Sequence, residues 1–132
     1  MIYLLVGAAG MVGALLRYYL GIVAGGWWDY TFPLGTFLAN MIGSFTLGYV
    51  TMYIFKMKKV HSMAAKAIGT GMIGSFTTFS TFSVETVNLL THSHVVLALI
   101  YVLGSMFGGL FMSWAGFTIG KQQFNLYKRK GV

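Results

Sequence analysis

Cysteine is absent from the sequence, which excludes disulfides and thiolate metal sites and leaves the redox compartment open. Acidic residues are almost absent as well: Asp29 and Glu85 are the only carboxylate side chains in 132 residues. With two carboxylates, no thiol and no nucleophile–base pair, an enzyme is not expected. Charged residues of both signs make up only 8% of the chain and hydrophobic ones 57%. Soluble domains carry about 25% charged residues, so this composition belongs in a membrane. The formal charge of +7 invites a nucleic-acid reading. The basic residues, however, flank apolar segments as membrane topology demands, and no nucleic-acid partner is expected.

Four segments are apolar enough to cross a hydrocarbon core of about 30 Å, which takes roughly 20 helical residues. They cover about 2–24, 32–55, 67–90 and 95–120. The single proline, Pro33, falls at the start of the second, where its missing N–H costs nothing. No basic n-region with a cleavage site marks the first segment as a signal peptide, so it reads as retained. Short connections predict an all-α membrane protein, one up-and-down bundle of four transmembrane helices over 1–132 with membrane lipid around it. Glycines recur inside the segments at close spacing (Gly10 and Gly13, Gly71 and Gly74, Gly104 and Gly108), which lets helix backbones approach.

Lys and Arg are distributed unevenly. Lys56, Lys58, Lys59 and Lys66 flank the second connection, and Lys121, Lys128, Arg129 and Lys130 follow the fourth segment. Four spans put all of these on one side, which predicts both termini in the cytoplasm.

The densest polar run lies where lipid is least able to satisfy it. Gly-Ser-Phe-Thr-Thr-Phe-Ser-Thr-Phe-Ser-Val-Glu, over 74–85, holds six hydroxyls and a carboxylate. Thr78, Thr81 and Glu85 share one helix face, and Phe79 and Phe82 are three apart. Single hydroxyls in a membrane helix usually bond back to their own backbone. So many together, beside Gly71 and Gly74, predict a local unwinding whose exposed carbonyls can bind a cation.

That run resembles the third-helix motif of the Fluc/CrcB fluoride channels of microbial membranes. Two other stretches are similar to the family's signatures: Phe-Pro-Leu-Gly-Thr-Phe-Leu-Ala-Asn-Met-Ile-Gly-Ser-Phe over 32–45 and Gly-Met-Val-Gly-Ala-Leu-Leu-Arg-Tyr over 10–18. The resemblance implies a passive, fluoride-selective channel that exports the ion and lowers its cytoplasmic concentration. It implies an antiparallel dimer with a break in the third helix and two fluoride pathways. A structural sodium ion (Na+) at the dimer interface is implied on the backbone carbonyls of Gly74 and Thr77. Carried over by position, the fluoride pathway involves Asn40, Phe79, Phe82, Tyr101 and Ser105, with the Thr78 and Thr81 hydroxyls as further donors. Amide and hydroxyl donors suit a small, strongly hydrated anion, and phenylalanine edges carry the positive part of the ring quadrupole.

Arg17 has two readings, a charge that draws fluoride into a vestibule or a structural residue that snorkels to the interface. Glu85 has three: protonated, hydrogen-bonded to neighbouring hydroxyls, or at the water-filled end of a pathway. His61, His92 and His94 lie in connections and read as solvated. A proton-coupled four-helix drug exporter would want an acid in a substrate cavity, and a structural subunit of a membrane complex would not need the hydroxyl cluster. The charge bias favours a single orientation, hence pairing with a homologous subunit of opposite topology rather than a homodimer. Reporters fused to each terminus are expected to signal from the cytoplasm only; equal signals from both sides would refute the single orientation.

Overall fold

The computed structural model describes residues 1–28, 31–53, 56 and 62–129, and among these it is all-helical with no strand. Asp29, Lys58, Lys59, His61 and Lys130 lie outside the described residues. Helix α1 is Ile2–Trp27 and α2 is Leu34–Met52. Helix α3 begins as Ser62–Lys66, widens into a π-helical stretch over Ala67–Ile73 and closes with one turn, Gly74–Phe76. Thr77 and Thr78 interrupt it, after which α4 runs Phe79–Thr91 and α5 runs Val95–Arg129.

Local chemistry accounts for the ends. Pro33 precedes α2 with φ −77°, and its carbonyl accepts from Phe37 N–H at 3.2 Å to close the first turn. Helix α4 stops at a tight connection in which Ser93 takes φ 64°. Ser93 N–H and His94 N–H then bond back to the Leu90 and Leu89 carbonyls at 3.1 and 2.8 Å, a left-handed cap closed without glycine.

Small residues set the packing of two helix pairs. Along α2 and α5, a methyl on Gly116 would overlap the Phe45 carbonyl oxygen and one on Gly48 the Ser113 carbonyl oxygen. Along α1 and α3, a methyl on Gly13 would overlap the Met72 carbonyl. From α3, Gly71 reaches the Val6 carbonyl in the same way. In the membrane no hydrophobic force brings helices together, so close backbone approach and its dispersion contacts must do so. An aromatic core joins α2 and α5 to α4: fully buried Tyr101 meets Phe32 edge-on (centroids 5.4 Å, 82°) and Phe82 at 5.0 Å, beside Leu89 and Ala98.

These contacts also order the ends of the molecule. Gly120 adjoins Met52 and Tyr53, and Gly71 meets Val6, so the start of α1, the end of α2, the start of α3 and the end of α5 share one end. Trp28, Pro33, Glu85, His92 and His94 gather at the other.

Helices α1 and α5 are long and apolar enough to cross a membrane. Their outer faces stay apolar and exposed, as at Leu15, Tyr18, Phe107 and Phe111. The fourth segment was expected over 95–120, but its helix continues to Arg129 because nothing in 121–129 breaks it: Gly and Pro are absent there.

Gly116→Ala is expected to destabilise the purified protein by about 1–3 kcal/mol, the usual cost of overpacking. Gly25→Ala, where an added methyl meets nothing within 4 Å, is expected to leave thermal stability in detergent unchanged or slightly raised.

Candidate functional site

The break between α3 and α4 is the centre of the site. Thr77 is extended (φ −77°, ψ 156°), and so is Thr78 (φ −150°, ψ 126°), so helical hydrogen bonding cannot pass through them. Thr78 is buried, and its backbone groups need partners away from water. Asn40, one helix away, supplies both. Its Nδ2 donates to the Thr78 carbonyl at 3.0 Å, and Thr78 N–H donates to its Oδ1 at 2.8 Å. The pair fixes which way the amide points and commits half of its donor capacity. Gly43, a turn along α2, keeps the helix close enough: a methyl there would overlap the Thr77 side chain.

The same rearrangement frees two carbonyls. In a continuous helix, the Gly74 carbonyl would accept from Thr78 N–H, and that of Thr77 from Thr81 N–H. Here Thr78 N–H goes to Asn40, and Thr81 N–H goes to the Thr78 side chain at 3.2 Å, the N-cap of α4. These are the two carbonyls that the family resemblance assigns to a cation. Above them α3 is already loosened, since Gly74 N–H reaches back to the Gly69 carbonyl, five residues away.

An open groove of about 560 Å³ runs past the break. Asn40, Gly74, Thr77, Thr78, Phe79, Phe82 and Ser105 all line it. The rings of Phe79 and Phe82 lie 5.9 Å apart, tilted by 37°, and Phe79 is 80% exposed on the single chain. Across the groove, Ser105 Oγ is buried and has no hydrogen-bond partner, the one such side-chain atom among the described residues.

The hydroxyls divide into two kinds. Thr77 and Ser83 bond back to carbonyls of their own helices, those of Ile73 and Phe79, at 3.1 and 2.9 Å. Thr78 instead donates to Thr81 Oγ1 at 3.1 Å, which joins two of the expected donors in a chain.

Tyr101 and Glu85 form a separate cluster. Thr36 donates to Glu85 Oε1 and Tyr101 to Oε2, both at 2.8 Å, so α2, α4 and α5 meet on one carboxyl group. Of the three readings of Glu85, the hydroxyl-bonded one matches this geometry, but the donors come from other helices rather than from its own run. The Tyr101 hydroxyl is thereby engaged away from the groove. Thr36 was not singled out from the sequence; the available signal was its spacing, four residues before Asn40 on one helix face.

Arg17 sits near the middle of α1, half-buried, one turn from Gly13 on the face that packs against α3. It does not line the groove past the break. His92 Nδ1 lies 2.8 Å from the Asn88 carbonyl at the far end.

The profile of the CrcB-like protein family, described as Camphor Resistance (CrcB), matches residues 4–117. The chain belongs to the CrcB family. Its similarity to individual CrcB-type proteins runs nearly end to end. It is 52% identical over 120 residues to the "Fluoride-specific ion channel FluC 1" of Bacillus cereus, covering 91% of this chain and 83% of that one. It is 48% identical over 112 residues to the protein of the same name in Desulfitobacterium hafniense, covering 85% and 96%. The "Fluoride-specific ion channel FluC 2" of Listeria innocua is 38% identical over 132 residues, covering 100% and 97%.

Asn40→Ala would take the partner of the buried Thr78 N–H, an unsatisfied atom costing about 1–3 kcal/mol, and one of the donors to the Thr78 carbonyl, which α4 still caps. Thermal unfolding in detergent is expected to show a loss of about 1–3 kcal/mol. Thr46→Val, which removes only a bond from Thr46 to the Ile42 carbonyl within α2, is expected to change stability far less.

Proposed function

We propose that this chain is a subunit of a passive, fluoride-selective channel of the cell membrane, which lets fluoride leave the cytoplasm and lowers its concentration there. The names of the relatives support the ion, and the groove beside the helix break supports the route. The observation that carries the reading is Ser105, which lines the groove with Asn40 and the Phe79–Phe82 pair and whose buried Oγ has no partner. A native structure rarely leaves a buried hydroxyl unsatisfied unless a ligand, ion or water completes it.

Fluoride surrenders strong hydration on entering, so the groove must offer donors in return. Asn40 retains one amide hydrogen beyond its bond to Thr78, Ser105 retains its hydroxyl hydrogen, and the linked Thr78 and Thr81 hydroxyls add polarity. Phe79 and Phe82 contribute ring edges, which attract an anion weakly. Neutral donors also release what they bind, which conduction requires. Half-buried Arg17 biases the local potential toward anions without entering the groove. An inside-negative membrane drives the exit, by about 2.3 kcal/mol per charge per 100 mV. The acid that a proton-coupled exporter would use, Glu85, is held by Thr36 and Tyr101 instead.

The channel in this reading is an antiparallel dimer of multi-pass subunits. Exposure of Phe79 and of the Gly74 end of α3 supports it, since a partner would cover both. The two carbonyls relieved of their helical amides, Gly74 and Thr77, fit a hard cation such as sodium, which takes neutral oxygen ligands. Bound there, sodium would supply a fixed positive charge and hold the break in shape. The basic clusters favour a homologous partner of opposite topology, with both termini of this chain in the cytoplasm.

Ser105→Ala removes one donor and no hydrogen bond to a described residue. In vesicles containing the assembled channel, fluoride efflux measured by electrode is expected to fall at least about tenfold, since a hydrogen bond to an ion contributes about 1.5–3 kcal/mol. Thermal stability is expected to be unchanged or improved. Unaltered efflux would remove Ser105 from the pathway.

A further inference from the structure

Nine residues of α5 extend past the expected end of its membrane span, and they carry charge that no carboxylate side chain among the described residues at that end balances. At about 1.5 Å per residue the 35-residue helix is about 52 Å long, against a hydrocarbon core of about 30 Å. Its last turns therefore stand in and beyond the headgroup layer. Phe124 and Tyr127 are half-buried, while Lys121, Gln122, Asn125, Leu126, Lys128 and Arg129 are exposed. Lys56, just past α2, and Lys66, on α3, are exposed at the same end. The chain has only two carboxylate side chains. Glu85 is held at the opposite end by Thr36 and Tyr101, and Asp29 lies outside the described residues.

We propose that this basic end is a binding surface for the headgroups of anionic phospholipids, with the α5 extension as its main contact. The outer face of the extension combines lysine and arginine cations for the phosphate, Gln122 and Asn125 amides for ester and glycerol oxygens, and Leu126 for apolar glycerol and acyl carbons. A lipid phosphate is the appropriate anion because the surface is tethered at headgroup depth, where such phosphates are the most concentrated partner. The inference needs only that α5 crosses the membrane and is independent of what the groove conducts.

The test uses the full chain in a neutral maltoside detergent, titrated with dioctanoyl phosphatidylglycerol, dioctanoyl phosphatidylcholine or glycerol 3-phosphate, with thermophoresis as the readout. Phosphatidylglycerol is expected to bind, more weakly as salt rises, and phosphatidylcholine far less. Each neutralised cation is expected to weaken binding about fivefold, so the Lys121→Gln, Lys128→Gln, Arg129→Gln triple variant should lose about 100-fold. The charge-preserving Lys121→Arg, Lys128→Arg variant should bind as the parent does, and the melting temperature of each variant separates lost binding from lost fold. Equal binding of the two lipids would overturn the proposal, as would undiminished binding by a folded triple variant. Displacement of the lipid by an equal concentration of glycerol 3-phosphate would assign the surface to soluble phosphates instead.

Discussion

A helix can be interrupted within an apolar layer only if the peptide groups it releases find partners inside the protein. In this chain Asn40 and the Thr78 hydroxyl meet that condition for two released N–H groups. The Asn40 amide pairs with both backbone groups of Thr78 and replaces the bond that Thr78 N–H would have made in a continuous helix, while the Thr78 hydroxyl takes Thr81 N–H. Everything notable about the site follows from that exchange. The Thr78 side chain is left to cap α4, the Gly74 and Thr77 carbonyls lose their usual amides, and the chain turns so that Phe79 and Phe82 border the groove. The clamp also requires α2 to lie almost against the break, which is why Gly43 has no room for a side chain.

The amide therefore serves two purposes with one group. Half of its hydrogen-bonding capacity holds the backbone, and the residue also lines the groove that Ser105 borders. In the proposed channel this would keep the Asn40 donor stiff, because an amide held by two backbone bonds cannot swing away. A second polar cluster, Thr36–Glu85–Tyr101, ties three helices together about one carboxyl group near the opposite end. Between these two polar points the helices meet through glycine and aromatic contacts, which leave few polar atoms to satisfy.

Much of this was legible from residue order. Six hydroxyls beside Gly74 in an apolar segment announced both an interruption and its location, because lipid cannot satisfy such groups one by one. Of the residues singled out for a pathway, Asn40, Phe79, Phe82, Thr78 and Ser105 line one groove, and Thr81 and Tyr101 do not. The role of Asn40 as a backbone clamp was not legible, since Thr78 is 38 residues away and nothing local pairs them. Tyr101 was expected among the pathway donors, and its hydroxyl turned out to be bound to Glu85. Thr36 escaped notice for the same reason: its partner lies 49 residues along the chain.

Composition and local pattern by themselves determined that this chain is helical, suited to a membrane, poor in acids and weighted with positive charge toward one end. Those properties depend on residue counts and short-range spacing, and folding does not alter them. Tertiary structure decided which polar groups are spent and which remain free. Thr77 and Ser83 bond to their own helices, Tyr101 is committed to Glu85, and Ser105 alone among the buried side-chain atoms described is left unpaired. Hydrogen-bond partners separated by tens of residues exist only once the helices have packed, so the availability of a donor is a property of the fold rather than of the residue.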